Sequence, residues 1–245
     1  MVAGRGLIAR ADIPRGKLIL TDEPVLVLKT DIDNSAAFYQ SERAGNTRII
    51  AAAVDGLGAG KRTILRNLHE NDDIQICKWN AWGFSEPWLG PNNWKVVGRY
   101  LSRINHSCMP NTVVSDVCVD DNAEDDRPTG AMRLIASRDI KAGEELFVEY
   151  VKDDDFWLQP RATRQAYLQL HWSFTCTCDA CSDETFQTAD QGLADLRAVR
   201  DRIRILLPVP YDENQDVYAR RRRDLEDYAT SLFNLGYMDY RLVEV

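Results

Sequence analysis

The run Arg103-Ile104-Asn105-His106-Ser107-Cys108-Met109-Pro110-Asn111 governs how this 245-residue chain is read. Polar and turn-forming residues flank a lone histidine, and a thiol follows two places later. By itself the run is ambiguous. A nucleophilic couple of Cys108 and His106 is set aside, on the expectation that side chains two residues apart on one strand point away from each other. The thiol is the more informative group, because three more crowd into Cys176-Thr177-Cys178-Asp179-Ala180-Cys181. Three thiolates fall one short of the tetrahedral set that a structural zinc ion requires. No cysteine follows Cys181, so the fourth ligand is sought among Cys77, Cys108, Cys118 and the nearer His171, and spacing does not choose between them.

Outward from that run, Gly143-Glu144-Glu145-Leu146-Phe147-Val148-Glu149-Tyr150 reads as a turn feeding a strand that ends on a tyrosine. In Gly4-Arg5-Gly6-Leu7, two glycines let backbone approach a ligand, and an arginine can meet a carboxylate. A weak internal echo is also present: Ala9, Asp12, Ile13, Gly16 and Ile19 recur at the offsets of Ala136, Asp139, Ile140, Gly143 and Leu146. Each copy reads as strand, turn, strand, either as unrelated hairpins sharing turn chemistry or as a repeat.

Between the copies, residues 35–70 read as helical, capped by Ser35, with Ile64, Leu65 and Leu68 at helical spacing. Residues 72–93 read as irregular, an aromatic platform of Trp79, Trp82 and Trp88 interrupted by Pro87 and Pro91. The acidic run 120–126 reads as a solvated loop tip between strands at 112–119 and 132–136. A helix over 161–170 precedes the cysteine cluster. Beyond Ser182, one apolar face (Leu193, Leu196, Val199, Ile203, Leu206) runs up to Pro208 and Pro210. A second (Leu225, Tyr228, Leu232, Leu235) runs up to Gly236, which predicts a helical hairpin packed on the body.

Hydrophobic residues at 44% and charged residues at 28% exclude collagen-like, disordered and disulfide-scaffold classes. Lys and Arg number 30 against 38 Asp and Glu, a net charge of −8 that disfavours gripping a nucleic-acid backbone and suits a basic protein partner. Six cysteines are too few for a secreted framework, so a reducing compartment, cytosol or nucleus, is expected. No apolar run approaches the roughly 18 residues of a membrane span. Asp12 and Pro14 interrupt any signal-like core, so no membrane partner is expected. The basic run Arg220 to Arg223 reads as a solvated helix face.

In chain order, Gly-x-Gly-Leu, Asn-His-Ser-Cys-x-Pro-Asn, Gly-Glu-Glu-Leu-x-x-x-Tyr and Cys-x-Cys-x-x-Cys make residues 4–182 resemble the SET-domain protein-lysine methyltransferases. The Phe174-x-Cys ending and the helical tail resemble the fungal and SMYD-like branch, without its MYND zinc module. The resemblance implies a mainly β fold with a helical insertion and helical tail (α+β), β-clip-like, with knot-like threading. It implies a SET domain at 1–158 with an insertion at about 30–95, a post-SET zinc segment at 159–182 and a helical hairpin at 183–245.

The resemblance also implies S-adenosylmethionine held by Gly4, Arg5, Gly6, Asn105, His106, Tyr150 and Phe174, with Asn80 a looser match. Cys108, Cys176, Cys178 and Cys181 become the zinc ligands, and Tyr150 becomes the catalytic residue lining a lysine channel. Trp172 stands where SMYD-like relatives commonly carry a second channel tyrosine, and is expected to narrow the channel and change the number of methyls added. Only Met1-Val2-Ala3 precede the glycine pair, where relatives usually have a further strand and a basic residue, so weakened cofactor affinity or a truncated chain is expected. The implied activity is methyl transfer to the ε-amine of a lysine in a protein, histone or otherwise. The alternative is a SET-fold module without turnover that binds a protein partner.

Overall fold

A computed structural model describes residues 6–30, 44–68, 80–84, 93–115, 131–151, 156–182, 186–206 and 215–234. In chain order its elements are β1 (Leu7–Ile8), β2 (Leu18–Asp22), β3 (Pro24–Thr30), α1 (Ala44–Asp55), α2 (Ala59–Arg66), β4 (Ala81–Phe84) and β5 (Asn93–Gly98). A 3-10 turn (Leu101–Arg103) leads to β6 (Asn105–His106), β7 (Thr112–Ser115), β8 (Met132–Ala136), β9 (Glu145–Val148), α3 (Arg161–Trp172), α4 (Phe186–Leu206) and α5 (Gln215–Asn234). The described strands form three sheets, in the orders β1-β9-β6, β2-β8-β7 and β3-β5-β4.

The two copies of the internal echo fold onto each other. β1 pairs antiparallel with β9, Leu7 opposite Leu146, and β2 with β8, Leu18 opposite Ile135. An isolated bridge joins Ile13 to Ile140 midway. The relation is a local twofold: Asp12 accepts the amide of Ala142 at 2.9 Å, and Asp139 accepts the amide of Arg15 at 2.8 Å. Gly16 and Gly143 hold φ of 75° and 91°, where a side chain would be strained, and turn each copy at the equivalent place. Pairing between copies, rather than closure of each into a hairpin, puts Ala9, Leu134, Ala136, Ile140 and Leu146 into one core.

The helical reading over 35–70 holds for its described part, Ala44–Asp55 and Ala59–Arg66. The insertion breaks at Gly56-Leu57-Gly58 into α1 and α2; residues 31–43, with Ser35, lie outside the described ones. Ile50, Val54, Leu65 and Leu68 pack on Val25, Leu26 and Leu28 of β3 and Val97 of β5. Part of the segment read as irregular is strand: β4 pairs with β5, which pairs with β3 on its other side. Gly83 and the nearby prolines had spoken for a loop, but cross-strand pairing overrides that local preference. Cys77, Trp79, Trp88 and the acidic run 120–126 lie outside the described residues.

Leu193, Leu196 and Ile203 of α4 and Tyr228 and Leu232 of α5 bury against Trp157 and Leu158, so the helical pair sits on the body. None of the described helices is long and apolar enough to cross a membrane.

Candidate active site

The site grows from β6 lying parallel to β9, Asn105 opposite Phe147 and His106 opposite Val148. Two asparagines, one at each end of the run Asn105 to Asn111, read β9 in different ways. Asn111 donates through Nδ2 to the Glu145 carbonyl at 2.8 Å and accepts the Phe147 amide on Oδ1 at 2.8 Å. A side-chain amide carries a donor and an acceptor on separate atoms, as a backbone strand presents them. Asn105 instead donates through Nδ2 to the Glu145 side-chain Oε1 at 2.6 Å. The turn that delivers β6 is held by Asp22, a buried carboxylate accepting the amides of Arg99, Tyr100 and Leu101 at 3.2, 2.8 and 2.8 Å.

Tyr150 follows β9 and faces His106. Its amide donates to His106 Nδ1 at 3.1 Å, and its hydroxyl donates to the Ile104 carbonyl at 2.7 Å. Burial, and next the charge of Glu145, push the Tyr150 phenol above its ordinary range, so it keeps its proton and remains a donor. Around it stand Phe174, 6.3 Å between ring centroids, and Trp172, also 6.3 Å. Ser173, left-handed at φ 57°, ends α3 and reverses the chain, bringing Phe174 back to 5.8 Å from the His106 ring.

His106 Nε2 lies 3.4 Å from Cys108 Sγ, which overturns the expectation that the two side chains point apart. Residues two apart on an extended chain share a face. The nucleophile reading still fails, on other grounds. His106 Nδ1 accepts an amide proton, so the ring donates from Nε2, and Sγ is engaged with other sulfurs.

Cys108, Cys176, Cys178 and Cys181 place their sulfurs within 4.8 Å of one another. Cys108 lies 3.9 Å from Cys176 and 3.6 Å from Cys181, separations far longer than a disulfide bond. Four thiolates about 2.3 Å from a zinc ion would sit about 3.8 Å apart, so the donor set fits that ion. Without a cation, hydrogen bonding with Cys176 raises the Cys108 thiol and lowers that of Cys176, while bonding with Cys108 first brings Cys178 down to about 6. A metal ion would instead hold all four deprotonated.

Of the site residues expected from sequence, Asn105, His106, Tyr150, Trp172 and Phe174 come together, and the four cysteines form the neighbouring cluster. Gly6 lies against Glu145 and Asn105. Asn80 is buried beside the turn, its carbonyl accepting Ser102 Oγ at 2.6 Å. Gly4, Arg5 and Cys118 lie outside the described residues. His171 stacks on Tyr167 at 4.2 Å and is not among the clustered ligands.

Sequence reading missed three residues. Glu145 anchors Asn105. Gln165 clamps Cys176, accepting its amide at 2.9 Å and donating to its carbonyl at 2.5 Å. Arg164, fully buried, donates to Cys181 Sγ at 3.7 Å and to the Ala180 carbonyl at 2.7 Å. An arginine four residues before the buried Leu168 on one helix face was the available signal for the last.

Residues 4–151 match the family model described as SET domain. Histone-lysine N-methyltransferase SET5 of Meyerozyma guilliermondii is 42% identical over 83 residues, 34% of this chain and 15% of that protein. Histone-lysine N-methyltransferase set5 of Schizosaccharomyces pombe is 27% identical over 207 residues, 79% of this chain and 51% of that one. The putative SET domain-containing protein L678 of Acanthamoeba polyphaga mimivirus is 24% identical, covering 75% of this chain and 76% of its own length. The match thus spans 15% of the length of the Meyerozyma protein.

Proposed function

The chain belongs to the SET-domain family, and from that premise we propose that it transfers a methyl group from S-adenosylmethionine to the ε-amine of a lysine in a protein substrate. The observation that carries this reading is the convergence of His106, Trp172 and Phe174 on Tyr150, with Asn105 preceding His106 on the same strand.

S-adenosylmethionine, when bound, supplies an electrophilic methyl group on a sulfonium. Gly6, Asn105, His106, Tyr150 and Phe174 are assigned to hold it, with Gly4, Arg5 and Asn80 the remaining candidates. The chain must then present a neutral amine. A lysine of ordinary pKa near 10.4 costs about 4.6 kcal/mol to hold neutral at pH 7. The aromatic walls of Tyr150, Trp172 and Phe174 disfavour the ammonium form and exclude water. The Tyr150 proton is committed to the Ile104 carbonyl, which leaves the phenol oxygen as an acceptor for the amine and so orients its lone pair.

Zinc is assigned to Cys108, Cys176, Cys178 and Cys181, where it would tie the segment 159–182, including Phe174, to the SET domain at 1–158, with the helical hairpin at 183–245 beyond. The passage of residues 105–111 beside β9 is read as the family's knot-like threading. The name of the Meyerozyma relative makes a histone the first substrate to try, and the net charge of −8 suits a basic tail. Action in the nucleus follows if a histone is the substrate.

Calorimetric titration with S-adenosylmethionine, then radiolabel transfer to histones and lysate proteins with Tyr150→Phe as control, tests the proposal. Cofactor binding and labelling that the control abolishes support it. Binding with no protein labelled would favour a partner-binding module, and no binding at all would remove both.

A further inference from the structure

We infer that Gln165 is the positioning residue for Phe174: by gripping the Cys176 backbone with both ends of its amide, it sets which face the segment after α3 turns to the SET domain, and so holds the Phe174 ring against His106 even when no metal ion spans the four sulfurs. The inference rests on the methyl-donor reading above only for what the ring touches, and adds to it the group that keeps the ring in place.

Gln165 Oε1 accepts the Cys176 amide at 2.9 Å, and Nε2 donates to the Cys176 carbonyl at 2.5 Å. The orientation of the side chain is forced, since the flipped amide would set donor against donor and acceptor against acceptor. Two bonds exchanged with one residue are what a neighbouring strand supplies in an antiparallel ladder, and they fix the rotation of the chain about its own axis. That rotation is visible in the burial: Ser173, Thr175 and Thr177 are exposed, whereas Phe174 and Cys178 are half-buried and Cys176 is buried. Phe174 and Cys176 therefore share a face. One meets the His106 ring at 5.8 Å, and the other lies 3.9 Å from Cys108 Sγ. Turning the chain over would take the ring from the pocket and the sulfur from the cluster together.

Short cysteine-rich segments ordinarily take their order from a metal ion. Here α3 supplies order from two consecutive residues. Gln165 holds the start of the cysteine run, and Arg164 holds its end through the Ala180 carbonyl at 2.7 Å and Cys181 Sγ at 3.7 Å. Between them, the amides of Cys181 and Ser182 close on the Cys178 carbonyl at 2.7 and 2.8 Å. Ala180 is fully buried, and the run packs with Val151, Phe156 and Leu168. All of these hydrogen bonds except the one to Cys181 Sγ join groups that a metal ion on the sulfurs would not touch. Of the two holders, Gln165 is the one that acts next to Phe174.

The test compares the full chain loaded with zinc and stripped of it by a chelator. In stripped wild type, NMR should show the Cys176 amide still protected from exchange and the Phe174 ring still in contact with His106. In Gln165→Met, checked by thermal melt for an intact fold, the amide should exchange in both states, and the ring contact should persist with zinc and vanish without it. Gln165→Glu keeps the acceptor but sets a carboxylate against the Cys176 carbonyl, and should fall between the two. Calorimetry should find that stripping changes wild-type affinity for S-adenosylmethionine by less than about threefold, but weakens that of Gln165→Met roughly 5- to 100-fold, the span of two hydrogen bonds.

A Cys176 amide that loses protection in wild type once zinc is removed overturns the inference, because the metal would then set the facing. So does a Phe174–His106 contact that survives stripping in Gln165→Met, the result expected of a merely structural glutamine. A wild-type affinity that falls as steeply as the variant's overturns it as well. If the NMR results are as stated and neither state of wild type binds S-adenosylmethionine, the donor reading falls and the positioning of Phe174 stands.

Discussion

Replacement of Arg164 by methionine isolates how the cysteine cluster is tied to the rest of the chain. The guanidinium is fully buried on α3 and donates to the carbonyls of Gln159 and Ala180 and to Cys181 Sγ. It also pairs at 3.1 Å with Asp190 of α4, whose carboxylate accepts the Arg161 amide at 2.9 and 2.8 Å. Removing one member of such a buried pair costs roughly 3–5 kcal/mol, because the partner stays behind uncompensated. The methionine stem retains part of the packing, so the lower half of that range is expected. At roughly 2–4 °C per kcal/mol for a chain of this size, Tm should fall by about 6–16 °C.

A second effect is chemical. Four thiolates around a zinc ion carry two negative charges in excess, and Arg164 supplies a cation and an N–H to one of them. Loss of such an outer partner typically weakens metal binding about 10- to 100-fold. The assay is thermal unfolding of the metal-loaded protein together with zinc release to a coloured chelator. The double variant Arg164→Met with Asp190→Leu should recover part of the loss, since it leaves no orphaned charge. A Tm within about 2 °C of wild type, with unchanged zinc release, would refute the reasoning at both steps.

Asp22→Ala strips three amides of their acceptor at the turn before β6, and should destabilise by roughly 2–4 kcal/mol in denaturant unfolding, whereas Asp22→Asn, which keeps one oxygen, should cost less. Asp12 lies below its ordinary value of 3.8, because the Ala142 amide and then the Lys141 ammonium bond its ionised form. A depressed carboxylate stabilises above its unfolded pKa and loses that contribution as pH falls through the folded pKa. Melting curves of wild type and Asp12→Ala should therefore differ at neutral pH and converge well below 3.8. His106→Ala removes the Nε2–H donor facing Cys108 and should speed zinc release by about tenfold, read with the same chelator.

Local pattern carried the strands of the echo, because short apolar segments around a turn glycine look the same wherever they occur. It did not carry their partners. Leu7 meets Leu146 and Leu18 meets Ile135, across most of the SET domain, and no window of sequence contains both sides of such a pair. For the same reason β3, β4 and β5 were missed: their order depends on β5 entering between two strands drawn from different parts of the chain. Three thiols were legible from spacing, and the fourth only from resemblance. Glu145 had no signal of its own, and the helix-face position of Arg164 pointed to burial without naming a partner, since a lone charge in a sequence names none.

The His106 ring shows why the separate motifs make sense only when assembled. One nitrogen accepts the Tyr150 amide, and the other faces Cys108, whose sulfur sits with those of Cys176 and Cys181. A single side chain thus joins the segment after β9 that carries the proposed catalytic residue to the cysteine cluster on which Phe174 packs. Displacing Cys108 would move the ring, and moving the ring would release the Tyr150 backbone. Cys108→Ser should therefore disturb the Tyr150 amide resonance as well as metal retention, whereas Cys178→Ser, which leaves the His106–Cys108 contact in place, should affect the metal and leave the Tyr150 amide nearer its wild-type position. Equal disturbance of that resonance by both variants would mean that the metal cluster acts on Tyr150 through the fold at large, and not through His106.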